Sequence, residues 1–100
     1  MKYITVVRGK LKDSDEKQAQ LAHDAAVDKL SPMSRPMGAI GHQAFLNPQN
    51  HKEFQAIDTW ESLEGLQKFM SDPAVAAEFA KLFDGQPEVT VWSESGWRSF

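Results

Sequence analysis

The stretch EFQAIDTWES, residues 53–62, decides the fold because it joins a strand directly to the start of a helix. Its alternation of residue types predicts a strand from Glu53 to Trp60, since successive side chains of a strand point to opposite faces. Ser62 is a preferred N-cap residue, so a helix is predicted to begin there. One strand face then carries Phe54, Ala56, Asp58 and Trp60, and the other carries Gln55, Ile57 and Thr59.

Hydrophobic spacing and turn residues predict three further strands, which complete two successive β-α-β halves. These strands are Tyr3–Arg8, Gly38–Leu46 and Glu88–Ser93. The turn Asn47-Pro48-Gln49-Asn50 predicts a hairpin between the second and third strands. We expect the connection in this hairpin to be longer than two residues.

The first helix is predicted from a start signal and a stop signal. Asp13 and Glu16 have capping-box spacing, so the helix is predicted to begin there. It is predicted to end near Leu30, because Ser31-Pro32 is unfavourable for the continuation of a helix.

The second helical region begins at Ser62 and is predicted to consist of two pieces. The segment Ser71-Asp72-Pro73 places an N-cap residue before a proline, which is itself a helix start. A glycine commonly follows the end of a helix, so Gly85 is predicted to end the second piece.

These elements predict an α+β fold with a ferredoxin-like βαββαβ order, a four-stranded antiparallel sheet and both helical regions on one face. A chain of 100 residues is expected to form a single domain over residues 1–100. The strands carry apolar residues at both parities; in the first, Tyr3 and Val7 alternate with Ile4 and Val6. A sheet that is apolar on both faces needs a second cover layer, and a second copy of the chain would supply it. We therefore expect a homodimer.

Composition excludes several classes of function. The net charge is −3 and no run of Lys or Arg occurs, which argues against nucleic-acid binding because phosphate neutralisation needs a basic surface. The absence of cysteine excludes disulfides, thiolate metal ligands and cysteine nucleophiles. No stretch has the roughly 20 apolar residues of a membrane span, and the apolar part of the N-terminus is too short for a signal peptide. We expect a cytoplasmic protein with no membrane partner.

Several segments in the second half of the chain resemble one protein family. The segments are His42-Gln43-Ala44-Phe45, Asn47-Pro48, Asp58-Thr59-Trp60-Glu61-Ser62, Gly65-Leu66 and Ser71-Asp72-Pro73. They resemble the antibiotic biosynthesis monooxygenase superfamily, whose proteins are dimeric α+β barrels. The resemblance implies that two ferredoxin-like sheets pair as a dimeric α+β barrel.

The same resemblance implies a range of activities. The family includes cofactor-independent monooxygenases that act on quinol-like or polyketide aromatic molecules, haem-degrading enzymes, and members with no assigned activity. The haem-degrading branch uses an Asn on the first strand and a Trp and a His on the last helix. The matching positions here hold Val6-Val7-Arg8, Phe69 and Phe79, so haem degradation is not expected.

Two of the three histidines are candidate catalytic residues. His23 lies on the apolar stripe of the first helix, and His42 lies on the second strand. Either could act as a general base, because the pKa of histidine lies near neutrality, and either could instead be a packing residue. His51 lies in the hairpin turn and is expected to be exposed to solvent.

Four further residues are candidates for contacting a substrate: Trp60, Trp92, Asp58 and Phe79. The two tryptophans could form an aromatic wall around a flat ligand, or they could pack in the core. A carboxylate such as Asp58 on an apolar face needs a partner, for which Arg8 and His42 are the candidates. The aromatic spacing that includes Phe79 is also typical of a helix face buried in the core.

No metal or cofactor site is expected. The histidines lack the spacing of metal ligands, and the chain has no Gly-rich phosphate loop or nucleotide fingerprint. Two functions remain open. One is a cofactor-independent monooxygenase that acts on a small aromatic or quinol-like molecule. The other is a non-enzymatic small-molecule-binding or structural homodimer. An open, partly polar cleft that contains His23 or His42 would favour the enzyme, and filled cores would favour the structural protein.

Overall fold

The computed structural model describes residues 1–100 and contains four strands and three α-helices. In chain order these are β1 (Tyr3–Leu11), α1 (Glu16–Ser34), β2 (Ala39–Asn47), β3 (Asn50–Trp60), α2 (Leu63–Met70), α3 (Pro73–Leu82) and β4 (Phe83–Ser93). A short 3₁₀ helix, Arg35–Met37, joins α1 to β2. The order confirms the predicted α+β arrangement. None of the helices has both the length and the apolar character needed to cross a membrane.

The strands form one antiparallel sheet in the order β2-β3-β1-β4, which is the predicted ferredoxin-like arrangement. All three helices pack on the same face of this sheet. One buried cluster brings Ala19 of α1 and Leu82 of α3 against Val7 and Ala56. A second cluster surrounds Trp60 with side chains from α2 and α3, namely Leu66, Phe69 and Val75.

An ion-pair group fixes α1 against α3. Glu78 of α3 is 9% exposed, and its two carboxylate oxygens lie 3.5 Å from Lys29 Nζ and 2.9 Å from Lys81 Nζ. A carboxylate removed from water is costly unless cations or hydrogen-bond donors surround it. The two lysines therefore stabilise Glu78 where α1 meets α3.

The prediction that the first helix ends near Leu30 is wrong. The helix begins at Glu16 with Asp15 as its N-cap, and it continues through Pro32 to Ser34. A proline removes one N–H donor, but the turn still closes because the N–H of Arg35 donates to the carbonyl of Ser31.

The predicted long hairpin connection is also wrong. Asn47 of β2 pairs with Asn50 of β3, so only Pro48 and Gln49 lie between the two strands. The Asn47 side chain accepts a hydrogen bond from the backbone N–H of Gln49, and this local bond supports the tight turn.

The prediction of a second helical region in two pieces is confirmed. The Ser62 hydroxyl accepts from the N–H of Gly65 at the start of α2, and Asp72 caps α3 in the same way. The predicted stop at Gly85 is wrong, because α3 ends at Leu82 and β4 begins at the next residue. Gly85 has a φ of 80° and lies inside β4, next to the point where the register with β1 shifts.

The sheet face opposite the helices has no cover within one chain. The side chains of Ile4, Val6 and Ile57 lie on this face, together with Phe45 and Trp92, which are 43% and 57% exposed. The sheet is therefore apolar on both faces, as the sequence predicts.

Gly65 allows α2 to lie directly against the end of the 3₁₀ helix. We expect Gly65→Ala to lower the free energy of unfolding by about 1–3 kcal/mol, because a Cβ there would overlap the backbone carbonyl of Met37. Gly41→Ala is the matched control, since its Cβ would meet only Thr59 at 3.8 Å. Urea unfolding followed by circular dichroism measures both variants, and equal midpoints would contradict this packing.

Candidate active site

A cavity of about 560 Å³ lies between α1 and the helix-covered face of the sheet. Its walls are mainly apolar and include five aromatic side chains or parts of them: Phe54, Trp60, Phe69, Phe79 and Phe83. Its polar groups include His23, His42 and Asp58. An apolar pocket with a few convergent polar groups is the usual form of a small-molecule site.

A depression of similar volume, about 520 Å³, lies at one end of the sheet. It is lined mostly by polar and charged side chains, among them Arg8, Lys10, Glu53 and Glu88, and it contains no histidine. The chemistry that the sequence predicts therefore belongs to the first cavity.

Three neighbouring elements deliver the polar groups of the cavity. α1 contributes His23 from its inner stripe, with Ala26 and Leu30 at helical spacing. β2 contributes His42, which lies directly opposite Asp58 of β3 in the strand register. Directly opposed residues of antiparallel strands point to the same face, so both of these side chains face α1.

The two histidines and two carboxylates form a continuous hydrogen-bonded chain. Asp24 Oδ1 lies 2.9 Å from His23 Nδ1, and the Nε2 atoms of His23 and His42 are 2.9 Å apart. His42 Nδ1 then contacts Asp58 Oδ1. Asp58 Oδ2 accepts a further hydrogen bond from the Thr5 hydroxyl at 3.3 Å.

The two imidazoles meet end to end. Their ring planes differ by 21°. The ring centroids are 5.1 Å apart and the Nε2 atoms are 2.9 Å apart. The difference is close to the diameter of one imidazole ring, so the two Nε2 atoms lie nearly on the line that joins the centroids. The two rings are therefore nearly coplanar, and the N–H···N bond between them is close to straight.

A count of protons assigns a positive charge to this pair. An ionised carboxylate only accepts hydrogen bonds, so the bonds to Asp24 and Asp58 require protons on both Nδ1 atoms. The bond between the Nε2 atoms requires a third proton. Two neutral imidazoles carry only two N–H protons, so the intact chain contains one imidazolium.

The charge belongs mainly to His42. Its hydrogen bond to Asp58 raises the pKa of His42 above the usual value, and the negative charge of Asp58 adds to this effect, while burial opposes it. His42 then donates from Nε2 to His23. The chain fixes His23 with its proton on Nδ1, held by Asp24, and with Nε2 as an acceptor.

The structure brings together five of the six predicted site residues. His23, His42, Asp58, Trp60 and Phe79 all line the cavity. Of the two candidate partners of Asp58, His42 fills the role. Arg8 pairs with Gln55 and therefore lies on the opposite sheet face.

The predicted aromatic wall of Trp60 and Trp92 does not form within the chain. Trp60 pairs with Tyr3 and Trp92 pairs with Ile4, and consecutive residues of β1 point to opposite faces. Trp92 is exposed, and its Nε1 donates to the Thr90 hydroxyl at 2.9 Å. The indole of Trp60 packs instead on Phe69, with ring centroids 5.4 Å apart.

Sequence reasoning missed four polar contributors to the site, namely Asp24, Ser31, Ser34 and Arg35. Asp24 was not considered, although it directly follows His23 in the chain. Ser31, Ser34 and Arg35 were missed because the helix was predicted to end near Leu30, whereas the actual helix carries its inner stripe onward to the end of the cavity. His51 is half exposed and bonds to Glu16 outside the cavity. No group of three or more His, Asp or Glu side chains is arranged so that it could hold a metal ion.

Several solved structures share the fold of this chain. SnoaB, a cofactor-independent oxygenase from Streptomyces nogalater, aligns with a TM-score of 0.73 at 10% identity over 96% of this chain and 95% of its own. An antibiotic biosynthesis monooxygenase aligns with a TM-score of 0.68 at 10% identity over 93% of this chain and 98% of its own. Rv0793 from Mycobacterium tuberculosis aligns with a TM-score of 0.66 at 16% identity over 99% of this chain and 100% of its own. No family model matches the sequence, and no curated protein matches it either.

The raised pKa of His42 predicts a pH-dependent contribution to stability. A raised pKa in the folded state stabilises the protein fully below the unfolded pKa, and the stabilisation is lost as the pH rises through the folded value. The gain from the His42–Asp58 pair should therefore be full below 6.5, the ordinary pKa of histidine, should decline as the pH rises from there to the raised pKa, and should be absent above it.

We expect Asp58→Asn to lower the thermal unfolding midpoint more near pH 6 than near pH 9, and to lower the pKa of His42 measured by NMR titration. His51 provides an internal reference in the same spectra. A His42 pKa at or below 6.5 in the unmodified protein would contradict this assignment.

Proposed function

We propose that this protein is a cofactor-independent monooxygenase that acts on a small aromatic or quinol-like molecule. The observation that carries the proposal is the hydrogen-bonded chain of His23, His42 and Asp58 at the wall of an aromatic-lined cavity. A likeness of fold to SnoaB, described as a cofactor-independent oxygenase, supports the same reaction class.

A hydroxyl group of the substrate would enter between the two Nε2 atoms and break the bond that joins them. Its proton would pass to His23, whose Nε2 is the free acceptor in the tautomer fixed by Asp24. His42, held as an imidazolium by Asp58, would donate to the resulting oxyanion. The two histidines therefore have different tasks, and their different carboxylate partners set that difference.

Deprotonation makes the ring electron-rich enough to reduce dioxygen directly. One electron passes from the anion to O₂, and the resulting substrate radical and superoxide combine into a carbon-bound peroxide anion, which takes a proton from His42 to become a hydroperoxide. The proton on that carbon then returns to His42 as hydroxide leaves and a carbonyl forms, and the hydroxide takes up the proton held by His23 to give water. In total a ring C–OH and a ring C–H react with O₂ to give two carbonyl groups and H₂O, so the substrate supplies all the electrons.

A second candidate function is a small-molecule-binding homodimer without catalysis. It is favoured by one observation, namely that all four ring nitrogens of His23 and His42 have hydrogen-bond partners within the chain. Such a satisfied pair can hold α1 against β2 as a purely structural contact. Turnover measurements separate the two functions.

We expect His23→Ala and His42→Ala each to lower kcat for oxidation of a quinol or anthrone probe by about 10²–10⁴-fold, because each removes one partner of the proton transfer. His51→Ala is the control, since His51 lies outside the cavity and should keep full activity. Oxygen consumption gives the rate, and native mass spectrometry checks that each variant keeps its assembly. Unchanged turnover in both cavity variants would exclude the proposed chemistry.

We also propose that the uncovered sheet face pairs with the same face of a second copy, as in the dimeric α+β barrels. Exposed apolar surface on a folded domain is costly in water, and a two-fold pair of sheets would remove it. The exposed side chains of Phe45 and Trp92 lie on this face beside Ile57.

Native mass spectrometry is expected to give a dimer for the unmodified chain and a monomer for Ile57→Lys, because a buried ammonium without a partner is strongly unfavourable. Gln49→Lys in the hairpin turn adds the same charge away from the sheet face and should remain dimeric. A monomer for the unmodified chain would contradict the pairing.

A further inference from the structure

The cavity has polar groups at both ends of the inner face of α1. The residues of α1 that line it recur at helical spacing: His23, Ala26, Val27, Leu30, Ser31 and Ser34. The histidine pair lies at one end of this series, and Ser31, Ser34 and Arg35 lie at the other. Apolar side chains occupy the interval between them.

The two polar ends are far apart. From His23 to Ser34 the helix rises by about 16 Å, at about 1.5 Å per residue, and Arg35 follows immediately. The interval is lined from α1 by Ala26, Val27 and Leu30. A ligand that reaches both ends must therefore be elongated and largely apolar in its middle.

Arg35 is a cation without a counter-charge. It is the only Arg or Lys among the residues that line the cavity, and its side chain makes no ion pair and no hydrogen bond within the chain. The only carboxylate that lines the cavity is Asp58, which is already bonded to His42 and Thr5. Arg35 is exposed to solvent, so the rim of the cavity at this far end carries an unpaired arginine, whose guanidinium is a group suited to bidentate binding of a carboxylate.

We infer that the substrate class is an elongated aromatic acid, with its ionisable hydroxyl at His23 and His42 and with a carboxylate at Arg35. This inference rests on the proposed function for the assignment of the hydroxyl end. The carboxylate takes no part in the oxidation. It selects acids over neutral rings and sets the depth at which the ring enters the cavity.

A different task for Arg35 would be to neutralise the C-terminal carbonyl groups of α1, where a cation is favourable. That task would change the stability of the helix end and would leave the relative affinities of acids and neutral ligands unchanged. The two explanations therefore predict different results when matched ligands are compared.

The test uses anaerobic calorimetric titration with hydroxybiphenyl carboxylic acid, whose two groups lie at opposite ends, and with its methyl ester. We expect the acid to bind at least about tenfold more tightly than the ester, and Arg35→Gln to remove this preference while affinity for the ester stays the same. Arg98→Gln in the exposed C-terminal segment makes the same charge change and should keep the preference. Para-hydroxybenzoic acid, which is too short to reach both ends, should show little dependence on Arg35.

An equal acid preference in Arg35→Gln and the unmodified protein, or no preference in either, would overturn the inference. Neither result affects the proposed oxygenase chemistry, which is measured by oxygen consumption and by the His23 and His42 variants. Conversely, a protein without turnover that still shows an Arg35-dependent preference would retain the acid-binding site and lose the oxygenase function.

Discussion

The register between β2 and β3 is the constraint on which the site depends. It places His42 directly opposite Asp58, so the two side chains leave the same face of the sheet and meet within hydrogen-bond distance. A slip of one residue would turn His42 to the uncovered face, because strand side chains alternate. The two-residue turn starts the pairing at Asn47 and Asn50, and an irregularity between Leu46 and Asn47 then shifts it to the register that continues to His42.

The site also depends on the placement of α1, which brings His23 to His42. The helix presents His23 to His42 only because its inner stripe faces the sheet, and the burial of Ala19 and the ion pair of Lys29 with Glu78 hold it in that orientation. The bond between the two histidines then spans the boundary between helix and sheet. Asp24 and Asp58 hold the outer nitrogens, so the inner nitrogens of the two rings are directed at each other.

The positive charge on the histidine pair gives the hydrogen-bonded chain its capacity for proton transfer. Two imidazoles between two carboxylates can form all three hydrogen bonds only when they carry one additional proton. The pair thus contains an acid and a base side by side, in a cavity whose other walls are mostly apolar. The side chains of His23 and His42 are 17% and 37% exposed, so the pair lies where the cavity opens to solvent and a hydroxyl group can reach it.

The sequence by itself determined the fold class, the helix break at Asp72 and five of the residues that line the cavity, including both of its histidines. The alternation of apolar and polar residues along β3 and the N-cap residues depend only on residues that are near one another in the chain, so they can be recognised without the tertiary structure. The tertiary structure alone decided the length of α1, where packing and the bond from Arg35 to Ser31 outweighed the unfavourable Pro32. It also decided that Trp92 is separated from Trp60, because strand pairing sets which faces two distant residues share. The pairing of His23 with His42 joins residues 19 positions apart, and only the packing of a helix on a sheet brings them into contact.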